Sequence, residues 1–149
     1  MSMDSRFSAD PVYDRWSRLD GTFFLRETAM ITSPMIARPQ NVFSKYHAHV
    51  YFDEKTTEQA RELCQTAATL FGVVMGRVHQ KPVGPHPHWS CQLAFDSTQF
   101  DKLIPWLEEH RAGLNILVHG RTGKSLEDHT ANASWLGEPA KLNLSIFGG

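Results

Sequence analysis

Hydrophobic and polar residues are arranged along the chain in a pattern that predicts a strand followed by an amphipathic helix, twice over. The predicted elements are strands over 45–52, 73–79, 86–95 and 114–119, and helices over 55–71 and 98–110. Pro105 predicts a bend in the second helix. Residues 120–149 are predicted to form a loop with a short turn around 126–136 and a weak strand near 142–146.

The order β-α-β-β-α-β predicts an α+β fold of the ferredoxin-like kind, in which two helices cover one face of a four-stranded antiparallel sheet. Residues 1–42 show no sustained period, so we expect an irregular N-terminal extension before a domain over 43–149. Met30 and Met35 leave open that translation starts further along the chain. The alternative is an N-terminal arm that packs on the domain.

Composition excludes several classes of protein. A formal charge of -1 without a run of Lys and Arg is a poor match for nucleic-acid binding. No apolar stretch approaches the roughly 20 residues that cross a bilayer, and no signal sequence is apparent, so a cytoplasmic protein is expected. Cys64 and Cys91 are far apart without C-x-x-C spacing, which favours two small core residues over a disulfide or thiolate site.

Strand parity predicts which side chains leave the helical layer, because the apolar side of each strand must face the helices. The residues predicted on the open face are His47, His49, Tyr51, Met75, Arg77, His79, His86, His88, Ser90, Gln92, Asn115, Leu117 and His119. Six of the eight histidines therefore share one face. Solvent-exposed histidines on a polar sheet surface are the plainer explanation of each one taken alone.

The topology predicts two histidine trios at opposite ends of that face. One comprises His47, His49 and His119, and the other comprises His79, His86 and His88. Imidazole nitrogens suit Fe(II), Zn(II) or Cu(II), so either trio, or a mixed set, predicts a metal site. Asp53 and Asp96 could complete a site of two histidines and one carboxylate, but each precedes a helix and is better explained as a cap. His110 is predicted to be an ordinary helix-end residue.

Several segments resemble the DOPA 4,5-dioxygenase family. The matching segments are His-Ala-His-Val-Tyr-Phe at 47–52, Pro-Val-Gly-Pro-His-Pro-His at 82–88 after His79, Leu-Val-His at 117–119, Thr122-Gly123, Asp128-His129, and Trp135-Leu136-Gly137. The resemblance covers about 42–147. Gly120-Arg121 departs from the His-Pro expected there, which could alter the loop beside the site.

The resemblance implies a ferredoxin-like domain and, as in fungal members, extradiol opening of the catechol ring of DOPA by O2 with non-haem Fe(II). We expect His47, His49, His119 and His86 as metal ligands, with zinc or another divalent metal possible as isolated. A neutral His129, His88 or His79 could accept the catechol proton. The residues expected to contact substrate are Arg77, Tyr51, Gln92 and Arg121.

Two other functions remain open at this point. One is a non-catalytic protein that binds a metal or a small molecule through the same histidines. The other is a cofactor-free monooxygenase in which histidines serve only as bases and anchors. Tyr51, Met75 and Leu117 on the open face also predict a homodimer that would seal the site from water.

Overall fold

The computed structural model describes residues 36–147, which form an antiparallel sheet with helices. The elements are β1 (Lys45–Phe52), α1 (Thr57–Phe71), β2 (Val74–His79), β3 (Trp89–Asp96), α2 (Ser97–His110), β4 (Ile116–Gly120), α3 (Ser125–Asp128), β5 (Ala133–Leu136) and a 3-10 helix (Leu144–Phe147). The strands lie in the order β2-β3-β1-β4-β5, and every neighbouring pair is antiparallel. The predicted α+β class with an antiparallel sheet is confirmed.

The sheet has five strands, so the predicted number of four is wrong. β5 adds to the edge of β4, with Ile116 opposite Leu136 and Leu117 opposite Trp135. Four residues are too few to show a clear alternation in the sequence. The strand forms because Leu136 packs into the main core while Trp135 packs on the opposite face of the sheet.

Two other predicted strand positions are wrong. β3 begins at Trp89 rather than at residue 86, because Pro87 has no N–H group to donate to a neighbouring strand. The weak strand near 142–146 is instead the short 3-10 helix. Leu144 and Ile146 are both exposed there, so no apolar face buries an extended strand.

The main core lies between the two longer helices and one face of the sheet. The helices contribute Ala60, Leu63, Cys64, Ala67, Phe100, Leu103, Ile104 and Leu107, and the central strands contribute Ala48, Val50, Cys91, Leu93, Ile116 and Val118. Cys64 and Cys91 are buried free thiols, as predicted. Burial of these apolar side chains is the main favourable contribution to folding.

Each longer helix has a recognisable cap at one end. Asp96 accepts hydrogen bonds from the backbone of α2, and Gln99 bonds back to the N–H of Asp96, which completes a capping box. Gly72 ends α1 in the left-handed conformation, with φ of 71°. α2 continues through Pro105, which lies on the exposed side of the helix.

The face without the longer helices is not open. Tyr51, Leu117 and Trp135 form a second buried cluster there, which is covered in part by the chain beyond β5. Met75 was predicted on this face but packs against the main core. The cause is a bulge in β2, where Gly76 and Arg77 both lie between the pairs that Met75 and Val78 make with β3. The three residues predicted to form a dimer surface are therefore not an exposed patch.

Residues 36–42 form no regular element but contact β5. The Trp135 N–H donates to the Ala37 carbonyl, and Arg38 donates to the carbonyls of Trp135 and Gly137. Most of the predicted N-terminal extension, residues 1–35, lies outside the described residues. Within 36–147, no helix is long and apolar enough to cross a bilayer, and the cytoplasmic location stays a prediction.

The packing of α2 against the sheet predicts a large difference between two leucine truncations. Leu103→Ala removes a side chain with 0% exposure and should lower the free energy of unfolding by about 2–5 kcal/mol. Leu70→Ala, at a position on α1 that is 58% exposed, should change it by less than about 0.5 kcal/mol. Urea unfolding followed by circular dichroism measures both, and equal losses would contradict this description of the core.

Candidate metal centre

The pairing of β1 with β4 places three histidines side by side. His47 lies directly opposite His119, and His49 lies two residues further along β1 on the same face. The Nε2 atoms of His49 and His119 are 3.0 Å apart, and both side chains are buried. The predicted trio of His47, His49 and His119 is therefore assembled by the strand register.

His86 joins these residues from the loop that precedes β3. Its ring centroid is 4.1 Å from that of His49, and its Nδ1 is 2.8 Å from the hydroxyl of Tyr51. Tyr51 is held in turn by Trp135, with ring centroids 5.8 Å apart. The prediction that His86 and His88 form a pair on one strand is wrong, because both precede Trp89.

His129 enters from the short helix α3, which follows β4. Its ring centroid is 4.3 Å from that of His119, and Phe147 stacks on its other side at 4.8 Å. The Nδ1 of His129 is 2.8 Å from the carbonyl oxygen of Ser125. The sequence predicts His129 as a proton acceptor, and the fold puts it within the histidine cluster itself.

These five histidines form two overlapping groups of three. One is His47, His49 and His119, and the other is His49, His86 and His129; within each group the candidate ligand atoms lie within 4.8 Å of one another. His49 belongs to both groups. The second group combines residues from the two predicted trios with His129, so the cluster resembles the mixed arrangement that the sequence left open.

Hydrogen bonds fix the orientation of two of these rings. A carbonyl oxygen can only accept, so the Nδ1–H groups of His119 and His129 donate to the carbonyls of Gly120 and Ser125. The Nε2 atom of each neutral ring then carries the lone pair. A histidine that binds a metal usually makes such a second contact with an oxygen, which fixes its tautomer.

Burial keeps most of the cluster neutral. Together with smaller contributions from nearby histidines, it lowers the pKa of His47, His86 and His119 to about 4. Burial and the neighbouring histidines also hold the pKa of His49 well below its ordinary value. At neutral pH these imidazoles are therefore uncharged nitrogen donors, the form in which histidine binds a metal.

The donor set fits a divalent transition metal. Adjacent ligands bound at about 2.0–2.1 Å to one zinc-sized ion lie about 3 Å apart, and the Nε2 atoms of His49 and His119 are 3.0 Å apart. Neither group of three contains a carboxylate. Imidazole suits iron, zinc and copper, so the donor set does not by itself distinguish the native metal.

The other predicted site residues lie around this cluster or away from it. His88 is exposed, with its ring centroid 5.6 Å from that of Tyr51. His79 ends β2, half-buried, and contributes to the lowered pKa of His86. Gln92 pairs with His49 across β1 and β3, so it lies next to the cluster.

The two predicted arginines differ in their position. Arg121 follows β4 directly, and its charge contributes to the lowered pKa of His47 and His119. Arg77 is exposed on the bulge of β2, at the edge of the sheet. Arg121 is thus the arginine that lies beside the cluster.

Gly120 explains the departure from the expected His-Pro after His119. A Cβ atom at this position would lie 2.5 Å from the ring of Phe43, well inside ordinary contact distance. The aromatic ring of Phe43 therefore occupies the space that a side chain at 120 would need. A cavity of about 300 Å³ borders His119, Phe43 and Asn132 beside this contact.

Sequence reasoning gave no structural role to Asp128, although the Asp-His pair at 128–129 was noted. Asp128 is buried beside the cluster, and its charge partly offsets the lowering of the pKa of His47 and His119 that burial causes. Its hydrogen-bond partners Thr122 and Asn132 lie six residues before it and four residues after it, in a segment that was predicted as a loop. Only the density of polar residues around a histidine in a predicted loop could have indicated it.

Comparison with known proteins decides the family. A model of the Dopa 4,5-dioxygenase family matches residues 46–146, which include all five histidines of the cluster. The chain belongs to the Dopa 4,5-dioxygenase family. Membership makes an enzyme of the dioxygenase type the expected kind of protein.

Two relatives of this family member come from fungi. A DOPA 4,5-dioxygenase of Amanita muscaria is 32% identical over 110 residues, which are 68% of this chain and 48% of that protein. An uncharacterized 21.2 kDa protein of Botryotinia fuckeliana is 36% identical over 113 residues, covering 68% of this chain and 62% of that protein. The matches thus span between about half and three fifths of these relatives.

A solved structure shares the fold of this Dopa 4,5-dioxygenase family member. It is a protein of Nostoc punctiforme described as a "putative dioxygenase", with 43% sequence identity and a TM-score of 0.66. The match covers 68% of this chain and 89% of that one. The antiparallel α+β arrangement is therefore shared with a cyanobacterial protein.

The neutral histidines predict that the metal-free family member loses stability in acid. The unfolded chain binds protons at its histidines near pH 6.5, whereas His47, His86 and His119 stay neutral in the folded state down to about pH 4. The free energy of unfolding should therefore fall as the pH decreases from 6.5 to 4. For each of these histidines, one unit of difference between the unfolded and the folded pKa contributes at most about 1.4 kcal/mol to this loss.

Urea unfolding in the presence of a chelator, at several pH values between 7 and 4, measures this loss. His119→Gln should make the dependence shallower, because one buried imidazole is removed. His110→Gln changes an exposed histidine on α2 and should leave the dependence as it is. Identical pH profiles for both variants would contradict the assignment of the loss to the cluster.

Proposed function

We propose that this protein is an extradiol ring-cleaving dioxygenase that acts on a catechol such as L-DOPA and uses a non-haem Fe(II) held by the histidine cluster. The observation that carries the proposal is the pair of three-imidazole groups that share His49, within the segment that matches the family. The Amanita muscaria relative named DOPA 4,5-dioxygenase supports the choice of a DOPA-like catechol.

His47, His49 and His119 are the proposed metal ligands, with His86 beside them. The first three are brought together by one strand pair, which gives the most rigid arrangement in the cluster. A ferrous ion bound there would supply the means to hold a catechol and O2 together and to exchange electrons with both. Zinc would fit the same nitrogens, so the identity of the ion is part of the proposal.

His129 is the proposed acceptor of the catechol proton. Its Nδ1–H donates to the Ser125 carbonyl, so the proton would be taken by Nε2, which lies on the side of the ring left free by that bond. His86 is a second candidate within the cluster, whose Nδ1 is already paired with Tyr51. His88 and His79 remain weaker candidates, because neither belongs to the groups whose nitrogens converge.

Arg121 is the proposed anchor for a substrate carboxylate. It directly follows the strand that carries His119, and a guanidinium can form two parallel hydrogen bonds with a carboxylate. Gln92 is proposed to border the substrate from β3, opposite His49. Tyr51 is buried against Trp135 and bonded to His86, so its proposed contribution is to orient that imidazole. Arg77 stays a weaker candidate on the exposed bulge.

A metal- or small-molecule-binding protein without turnover is the second candidate. It is favoured by the absence of a carboxylate from either three-histidine group of the described chain, since zinc is readily held by three histidines. In either case a homodimer stays a prediction. The surface that suggested it is buried within the chain, so a dimer would use other residues.

Anaerobic loading separates these functions. The purified protein is loaded with Fe(II), mixed with L-DOPA or another catechol and then exposed to air. Uptake of O2 with formation of a yellow ring-cleavage product is the expected result. Zinc binding with no turnover of any catechol would support the second candidate, and activity that survives exhaustive chelation would point to a cofactor-free monooxygenase.

Alanine substitutions should locate the ion within the cluster. His49→Ala should abolish stoichiometric binding of Fe(II) or Zn(II), because His49 belongs to both three-histidine groups. His47→Ala should weaken binding strongly, whereas His129→Ala should weaken it less, by about 10–100-fold, because His129 packs against His119, and should also lower kcat. Metal content after gel filtration and steady-state kinetics measure the two effects.

His110→Ala is the matched control, since His110 is exposed on α2 and its side chain bonds to the Trp106 carbonyl of the same helix. It should keep full metal content. If His129→Ala loses the ion while His47→Ala keeps it, the group of His49, His86 and His129 holds the metal. If His49→Ala keeps it as well, the cluster is not the metal site.

A further inference from the structure

Asp128 is a buried carboxylate that the proposed chemistry does not use. It is 5% exposed and directly precedes His129. Its Oδ2 accepts from the Thr122 N–H at 2.9 Å, and its Oδ1 accepts from the Thr122 hydroxyl at 2.7 Å and the Asn132 amide at 3.1 Å. A buried carboxylate is stable when it accepts hydrogen bonds in this way, so these three bonds account for the burial of Asp128.

The donors to Asp128 lie at the two ends of one segment. Thr122 follows β4, and Asn132 directly precedes β5. The carboxylate therefore ties together the ends of the segment 122–132, which carries His129. The ring of His129 lies 4.3 Å from that of His119, which belongs to the strand before this segment.

The hydrogen bonds of His129 itself are local to its own segment, since its Nδ1–H and its backbone N–H both donate to the Ser125 carbonyl. α3 has only four residues, and its N-cap residue Lys124 makes no side-chain capping bond. A helix this short is not stable through its own backbone bonds, so it depends on tertiary contacts. Phe147 stacks on the outer side of His129, while the carboxylate of Asp128 fixes the backbone that carries it.

The charge of Asp128 also acts on the cluster. Burial, Arg121 and the neighbouring histidines lower the pKa of His47 and His119, and the carboxylate of Asp128 acts in the opposite direction. A negative charge near uncharged imidazoles would favour a cation bound between them. The charge of Asp128 and its hold on the segment of His129 would therefore both strengthen the binding of a cation.

We propose that Asp128 is a positioning residue, which holds His129 against His119 and thereby sets the affinity of the histidine cluster for a divalent cation. The inference rests on the proposed function, in which the cluster binds a metal. Residues that orient metal ligands typically change metal affinity by about 10–100-fold when they are substituted. The same range is expected for loss of the Asp128 carboxylate.

Titration with Co(II), followed by its visible absorption, tests this effect in the full chain. Asp128→Ala should weaken binding by about 10–100-fold. Thr122→Val, which removes one hydroxyl donor and keeps the backbone donor, should weaken it less but in the same direction. Asp128→Asn, which keeps the shape and removes the charge, should fall between the wild type and Asp128→Ala.

Asp96→Asn is the matched control. Asp96 also accepts from a threonine N–H, the hydroxyl of the same threonine and a third donor, but it caps α2 away from the histidines. This variant should lower the melting temperature and leave Co(II) affinity unchanged. A purely structural role for Asp128 would give the same pattern as Asp96→Asn, and that result would overturn the proposal.

A second measurement works without metal. Imidazole ¹⁵N resonances of the metal-free protein should show His129 losing its single tautomer in Asp128→Ala, while His110 is unaffected. If the wild type binds no Co(II), the proposed function fails, but this measurement still tests the positioning of His129. If Asp128→Ala does not fold, Thr122→Val carries both measurements; unchanged affinity and unchanged resonances in Thr122→Val would then overturn the proposal.

Discussion

The close approach of His49 and His119 is the contact on which the rest of the site depends. Two neutral imidazoles with their Nε2 atoms 3.0 Å apart are possible only because the register of β1 and β4 fixes both backbones. Burial disfavours the charged forms of these rings, because a protonated imidazole would lose its hydration there. The sheet thus creates a group of nitrogen donors that is costly to protonate and well suited to a metal cation.

Two loops supply the histidines of the cluster that the strands do not carry. His86 arrives from a proline-rich loop and is held by Tyr51, and His129 arrives from a four-residue helix whose backbone is held by Asp128. Both loops meet a sheet face that is already covered by the Tyr51–Leu117–Trp135 cluster. The rigid strand pair and the two loops together give more histidines than one ion needs.

The fifth strand shows a limit of prediction from the local hydrophobic pattern. β5 contributes Leu136 to one core and Trp135 to the other, and Trp135 in turn supports Tyr51 and through it His86. Four residues carry too little alternation to be recognised in the sequence. The bulge at Gly76 and Arg77 is similar, since it reverses the side on which Met75 lies without any change in the hydrophobic pattern.

The sequence by itself determined the α+β class, the two long helices, and the placement of His47, His49 and His119 on one face, because periods of two and 3.6 residues fix side-chain direction within an element. It also carried the family likeness, which the match over residues 46–146 confirms. Only the tertiary structure decided that His86 and His129 meet His49 and His119. Their positions depend on proline geometry, buried hydrogen bonds and packing between loops, which join residues that share no sequence period.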